Sequence, residues 1–141
     1  MLCRDAEIAR RDTQLLDILV RWRENERNAI MVTFDWTGAS GKSYVYHIYE
    51  VEFDPTAAQD GNYIFAKVVE KLWRPIYVGE GDLKDRLAAA RKDGCVTRKG
   101  ATHVHMHLNS DEDDSKAEES DILAAHSVAY APTGCNVKPS G

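Results

Sequence analysis

Three kinds of side chain in the second half of the sequence could work together on a phosphodiester bond. A tyrosine can accept or relay a proton if nearby cations lower its pKa. An arginine presents a planar fork that matches a phosphate group. A carboxylate can hold a Mg²⁺ ion that keeps several waters and takes its other ligands from a substrate. The candidates for these three kinds of group are Tyr63, Tyr77, Arg86 and Glu119.

These residues lie in short motifs that follow one another along the chain. Gly61-Asn62-Tyr63 opens an apolar run, and Tyr77-Val78-Gly79 closes the next one. Arg86 lies shortly after, and the segment 118–123 then precedes Pro132 and Asn136. In this order the motifs resemble those of the GIY-YIG nuclease superfamily, over residues 61–136.

The resemblance implies a role for each candidate. Tyr63 corresponds to the general base, Tyr77 to an accessory or positioning group, and Arg86 to the catalytic arginine. Glu119 corresponds to the metal ligand because Ile122 and Leu123 follow it at the family's spacing, and Glu118 takes that place if the register shifts by one residue. The accessory positions implied are Gly61, Gly79 and Asn136. The expected activity is endonucleolytic hydrolysis of DNA with Mg²⁺ or Mn²⁺, through contacts to the phosphate backbone.

Each candidate also has an ordinary structural interpretation. A strand tyrosine can simply pack, a helix arginine can pair with Asp82 or near Asp85, and a helix glutamate can face solvent. The interval from Tyr63 to Tyr77 is longer than in most members of the family, and that from Gly79 to Arg86 is shorter. The alternative is therefore a catalytically inactive module of this kind that binds nucleic acid or protein.

The elements that would position these residues can be read from local patterns. Helical spacing of Leu83 and Leu87 predicts a helix over 82–92, with Asp82 as N-cap and Gly94 at its end. A last helix is expected from Ser110 or Asp111 to about His126. Strands are predicted by apolar and β-branched runs over Tyr63–Val69, Pro75–Gly79 and Thr102–Leu108, with 70–74 as a hairpin loop.

The resulting fold class is α+β, with a small antiparallel three-stranded sheet flanked by helices. Residues 1–60 are predicted to add an amphipathic helix over 5–27 and a hairpin of two strands, Ile30–Trp36 and Tyr44–Phe53. The expected organisation is thus an extension of 1–60, a core of 61–136 and a tail of 137–141. A dimer through residues 1–60 is one possibility for assembly, and the sequence does not fix the oligomeric state.

Three histidines alternate with apolar residues in the strand over 102–108. His103, His105 and His107 are expected on one face, with Val104 and Met106 on the other. A polar strand face beside the cleft is the favoured interpretation, with His103 or His105 at the edge of the site. The alternative is a transition-metal site in an unrelated metalloprotein, although the wide spacing along a strand does not suit tetrahedral zinc.

Composition bounds the partners and the compartment. The chain has 141 residues and a net charge of −5, but residues 84–100 contain six cations against Asp85 and Asp93, a local charge of +4. A basic stretch facing an acidic cluster suits a metal-dependent phosphodiesterase. No apolar run is long enough to span a bilayer or to form a signal peptide, so no membrane partner and a cytoplasmic location are expected. Three widely spaced cysteines make a structural disulfide unexpected.

Overall fold

The computed structural model describes residues 32–138. The helix predicted over 5–27 and the first residues of the predicted strand Ile30–Trp36 lie outside this range. By its internal contacts the chain divides into two compact units, one of 1–33 with 68–73 and one of 34–67 with 74–141. The second unit contains every candidate residue, and the description below concerns that unit and the bounds of its elements.

The described residues form an α+β fold with five strands and three α-helices. The strands are β1 (Thr33–Thr37), β2 (Ser43–Glu50), β3 (Asp60–Val69), β4 (Leu72–Asp82) and β5 (His103–Leu108). The helices are α1 (Leu83–Asp93), α2 (Cys95–Arg98) and α3 (Glu112–Ala125), and a short 3-10 turn follows at Ser127–Ala129. The strands join in one curled antiparallel sheet in the order β1-β2-β5-β3-β4.

The sheet is larger than the three strands that the sequence predicts. Strand β5 lies between β2 and β3, and it pairs antiparallel with both: His47 of β2 and Tyr63 of β3 are both partners of Met106. The predicted hairpin of β1 and β2 therefore continues the same sheet instead of standing beside a three-stranded core. Local patterns could not show this, because sheet order depends on pairing between distant segments.

One face of the sheet packs against α1. Tyr63, Phe65, Val104 and Met106 share this face through the β3–β5 register. They form one apolar cluster with the buried residues of α1, which are Leu83, Leu87 and Ala90. Helical spacing puts the apolar residues of α1 on one face, and alternation puts those of the strands on one face. The two faces pack together and form the main core.

The other face packs against α3. The buried residues of this helix are Ser115, Glu118 and Ile122, at the spacing of one helical face. Asn62 on β3 donates from Nδ2 to the carbonyl oxygen of Ser115 at 2.8 Å. Asp121 accepts hydrogen bonds from both the amide and the hydroxyl of Ser40, in the β1–β2 turn. Both faces of the central strand β5 are therefore covered.

The predicted helix ends are confirmed. Asp82 Oδ1 accepts from the amides of Lys84 and Asp85, and Gly94 ends α1 in the left-handed conformation with φ of 91°. Asp111 caps α3 through its hydrogen bond from the Asp114 amide. The capping side chains satisfy amides that have no partner inside the helix.

The expectation about cysteines is wrong. Cys95 and Cys135 form a disulfide across 40 residues of sequence, with their Cα atoms 6.1 Å apart. The fold brings the start of α2 beside the segment that follows the 3-10 turn, and the sequence spacing alone could not show this proximity. Disulfides are typical of oxidising compartments, so the cytoplasmic location stays a prediction. Within residues 32–138, no helix is long and apolar enough to cross a membrane.

Candidate active cleft

The first candidate, Tyr63, lies directly over a glycine of the neighbouring strand. A Cβ atom added to Gly79 would be 2.8 Å from Tyr63 Cε1 and closer still to Cζ and the hydroxyl oxygen. The tyrosine ring therefore occupies the space of a side chain at residue 79, and only glycine allows this approach. The segments Gly61-Asn62-Tyr63 and Tyr77-Val78-Gly79 thus lie side by side in the sheet. The ring of Tyr63 packs over Gly79, which has no side chain to exclude it.

Tyr63 is almost completely enclosed, with 3% of its surface exposed. Its ring packs edge-on against those of Tyr77 and Phe65, at centroid distances of 5.9 and 6.0 Å. Burial raises the pKa of Tyr63 well above its usual value, and the neighbouring Tyr77 raises it further. The positive charge of Arg86 acts in the opposite direction. The hydroxyl is therefore protonated at neutral pH in the protein without ligands.

Arg86 extends from the first half of α1 and is exposed. It lies against Gly81, where a Cβ would be 2.8 Å from Arg86 Nε, and Gly81 has a φ of +129°. Neither Asp82 nor Asp85 pairs with it, and no carboxylate among residues 32–138 is within ion-pair distance of its guanidinium. Its planar donor group remains available to an anion.

Arg86 separates two adjoining clefts. One, of about 340 Å³, is lined by Arg86, both candidate tyrosines and several residues of α1, α2 and the C-terminal segment. We call it the tyrosine cleft. The other, of about 290 Å³, is lined by Asp60, Glu80, Gly81, Arg86, Glu112 and Ser115. We call it the acidic cleft. An anion held by Arg86 would therefore have tyrosine hydroxyls on one side and carboxylates on the other.

The register of α3 distinguishes the two glutamates that the sequence left as alternatives. Glu118 points to the α3 face of the sheet, where it accepts from the Tyr46 hydroxyl at 2.6 Å and pairs with His107 Nδ1 at 2.9 Å. Glu119 is half-buried, and its charge acts on both Arg86 and Tyr63. Glu119 lines neither cleft, but its charge reaches the candidates that line the tyrosine cleft, whereas Glu118 belongs to a buried polar network.

Glu119 has a second acidic neighbour that the sequence analysis missed. Burial raises the pKa of Glu119, and the charge of Glu80 raises it further, whereas Arg86 and Lys116 lower it. Two carboxylates that repel one another in a partly buried place suit a divalent cation, and Mg²⁺ commonly takes only one or two protein carboxylates. Glu119 and Glu80 are therefore the residues that would hold such an ion. The signal in the sequence was an acidic residue directly after Tyr77-Val78-Gly79.

Asn136 holds the second motif in place. Its side chain accepts from the Val78 amide through Oδ1 at 2.8 Å and donates from Nδ2 to the Val78 carbonyl at 2.9 Å. Both bonds are made to the residue between Tyr77 and Gly79, and Asn136 is buried. The amide thus acts on the cleft indirectly, by fixing the strand that carries Tyr77.

Gly61 also allows a close approach, since a Cβ there would be 2.5 Å from the carbonyl oxygen of His107 on β5. Strand β3 can therefore pair tightly with β5 at Gly61, two residues before Tyr63. The position of Gly61 is structural and lies within the sheet.

The histidines do not lie at the edge of the tyrosine cleft. His105 pairs with Ile64, so it occupies the α3 face, opposite to Tyr63. It is fully buried and accepts from Trp36 Nε1 at 2.9 Å. His103 is buried on the same face, and His107 pairs with Glu118. The prediction of His103 or His105 beside the site is corrected accordingly, because both faces of β5 are covered.

The histidines also do not gather around a common point. Within residues 32–138, no group of three or more His, Cys, Asp or Glu side chains is arranged to hold a metal ion. Burial lowers the pKa of His103 to about 4 and that of His105 well below its usual value. Both imidazoles are therefore neutral members of the core at physiological pH.

Comparison of the chain with protein-family models, with curated protein sequences and with solved structures finds no match.

Proposed function

We propose that the protein is a Mg²⁺-dependent endonuclease of the GIY-YIG kind that hydrolyses phosphodiester bonds of DNA. The observation that carries the proposal is the meeting of Tyr63, Tyr77 and Arg86 in one cleft, with the Glu119 charge acting on two of them. These are the four residues that the motif resemblance selects from a long stretch of sequence.

Arg86 would bind the scissile phosphate. Its guanidinium is exposed at the junction of the two clefts, so it can reach a phosphate oxygen without breaking an existing ion pair. A fixed positive charge at the developing negative charge of a transition state is commonly one of the largest contributions to catalysis. The same cation opposes the raised pKa of Tyr63, so it also helps that hydroxyl to lose its proton.

Tyr63 and Tyr77 would handle the proton of the attacking water. Their rings pack edge-on at a centroid distance of 5.9 Å, and Tyr77 acts on the pKa of Tyr63, so the buried tyrosine is coupled to the half-buried one. Tyr63 is protonated in the resting protein, so it must first release its own proton to solvent before it can take one from the attacking water. Positive charge that enters the cleft would favour this release because it lowers the pKa of Tyr63.

Glu119, with Glu80 beside it, would hold the metal ion. When bound, Mg²⁺ would add positive charge at the phosphate and lower the pKa of a bound water. It would also relieve the repulsion between the two carboxylates. Positive charge at Glu119 removes one of the influences that raise the pKa of Tyr63.

The surface around the tyrosine cleft is suited to a polyanion. Of the six cations in residues 84–100, Arg91 binds Asp54 and two backbone carbonyls, and Lys99 binds the Pro132 carbonyl. The other four are exposed on α1 and α2 and are free for DNA phosphates. They are Lys84, Arg86, Lys92 and Arg98.

A second candidate function is a binding module of the same fold without catalysis. The observation that favours it is the burial of Tyr63, whose ring contacts account for the residue without any reaction. In this case Arg86 and the exposed cations would bind a phosphate backbone that is not cut.

The deciding experiment is incubation with supercoiled plasmid and with branched DNA in Mg²⁺ or Mn²⁺, beside an EDTA control. We expect nicking that EDTA abolishes, and a loss of about a hundredfold or more in Arg86→Ala. Lys42→Ala is the control for the loss of one exposed cation, because Lys42 lies in the β1–β2 turn, outside both clefts and outside the set of four cations. Binding without cutting by the wild type would favour the module, and full activity of Arg86→Ala would overturn the assigned role.

A further inference from the structure

The C-terminal segment makes three hydrogen bonds to the open edge of β4. The Cys135 amide donates to the Ile76 carbonyl at 2.8 Å, and the Asn136 side chain bonds both backbone groups of Val78. Every one of these bonds comes from two successive residues. Together they fix the stretch of β4 that carries Tyr77.

The disulfide ties this segment to the start of α2, beside the tyrosine cleft. Cys95 begins α2, Cys135 immediately precedes Asn136, and both line the cleft together with Tyr63 and Tyr77. Both cysteines are only half-buried and both line the cleft, so we expect a small dithiol to reach the disulfide from the cleft. The Cys95–Cys135 disulfide therefore restricts the motion of the neighbouring residue Asn136, whose side chain binds Val78.

We propose that the Cys95–Cys135 disulfide is a positioning element for the tyrosine cleft, and that its reduction by a dithiol loosens the cleft reversibly. The inference rests on the proposed function for its effect on cutting, but not for its effect on structure. In the reaction the dithiol gives two electrons and two protons to the S–S bond. Two cysteine thiols form, and the dithiol becomes a disulfide.

The expected structural consequence is local. The segment around Cys135 keeps its hydrogen bonds to β4 and to residues 129–131 after reduction. Without the cross-link it opens more often, and it can do so without unfolding the sheet because local openings cost less free energy than global unfolding. Asn136 then leaves Val78 more often, and Tyr77 loses its fixed position opposite Arg86. The core amides of β3 and β5 are bonded within the sheet and keep their protection.

The test uses amide hydrogen exchange of the full chain with and without dithiothreitol. We expect the Val78 amide, whose acceptor is Asn136 Oδ1, to exchange about tenfold faster after reduction. The Phe65 amide serves as the internal reference for global stability. The double variant Cys95→Ser with Cys135→Ser should behave like the reduced protein. Cys3→Ser removes a cysteine outside the disulfide and should behave like the oxidised wild type.

Activity provides the second measurement. Nicking by the reduced protein should show a lower kcat with little change in the KM for DNA, and reoxidation should restore it. Unchanged exchange of Val78 after complete reduction would overturn the inference, as would a parallel rise at Phe65. Faster exchange at Val78 in a protein that cuts no DNA would support the inference and refute the proposed function. Undiminished DNA cutting after reduction, with unchanged exchange at Val78, would support the proposed function and refute the inference about the disulfide.

Discussion

The ring of Tyr63 fills the space above the Cα atom of Gly79, so the two residues behave as one packed unit across β3 and β4. The relationship is purely steric, and it does not depend on any chemistry in the cleft. It makes a prediction about stability that is independent of the proposed activity.

Gly79→Ala should destabilise the protein by about 1–3 kcal/mol, the usual cost of forcing extra atoms into a packed site. Urea denaturation would measure the change. The control is a double-mutant cycle with Tyr63→Ala, because removing the ring leaves room for the new methyl group. The cost of Gly79→Ala should then largely vanish. An equal cost with and without the ring would show that the strain lies elsewhere in β4.

Tyr63→Phe separates the hydroxyl from the packing of the ring. Stability should fall by at most about 1 kcal/mol, since the ring contacts with Tyr77 and Phe65 remain and only the hydroxyl is lost. Nicking should fall by roughly a hundredfold or more if this hydroxyl takes the proton. Rates under single-turnover conditions would be compared with those of Tyr49→Phe, which changes a tyrosine outside both clefts. Full activity of Tyr63→Phe would assign the tyrosine to structure alone.

The adjacent glutamates of α3 should respond in opposite ways to the same substitution. Glu118→Gln removes a buried charge that binds Tyr46 and His107, so stability should fall by about 1–3 kcal/mol. Glu119→Gln should leave stability unchanged or raise it at neutral pH, because burial and Glu80 disfavour its charged form.

Metal binding by the Glu118→Gln and Glu119→Gln variants can be measured without any DNA cleavage. Titration calorimetry with Mg²⁺ or Mn²⁺ should show weaker binding for Glu119→Gln and unchanged binding for Glu118→Gln. Weaker binding in Glu118→Gln and unchanged binding in Glu119→Gln would identify Glu118 as the metal ligand instead. Loss of stability in both variants would show that Glu119 also belongs to the buried network.

Stability should fall above about pH 10, the ordinary pKa of tyrosine in an unfolded chain. Burial raises the pKa of Tyr63 and of Tyr46 in the folded protein, and Glu118 adds to the effect at Tyr46. The folded protein thus keeps protons that the unfolded chain releases, so the contribution is complete below pH 10 and is lost as the pH rises. Urea denaturation between pH 8 and 11 would measure the slope, which should be smaller in Tyr46→Phe. A flat profile would contradict the burial of both hydroxyls.

The sequence predicted well the features that depend on neighbouring residues. The caps of α1 and α3, the left-handed Gly94 and the alternation along β5 all follow from local backbone chemistry. The features it missed depend on distant segments meeting. Both faces of β5 are buried because α1 and α3 lie on opposite sides of the sheet, so a strand that alternates polar and apolar residues still has no polar exposed face.

The same distinction between local and distant features applies to the candidate site. The motif order selected Tyr63, Tyr77 and Arg86, which do line one cleft. Glu80 was missed because its importance comes from its distance to Glu119, and the disulfide was missed because 40 residues separate its cysteines.

The bonds from Cys135 and Asn136 also have a consequence for the protein's contacts with copies of itself. Strand β4 ends the sheet, and an edge strand with unpaired backbone groups is a template for pairing with another chain. Along 76–78 those groups are already engaged, one by a backbone amide and two by a side-chain amide that imitates a peptide bond. The same tail that steadies Tyr77 therefore protects the middle of this edge against strand exchange and edge-to-edge aggregation.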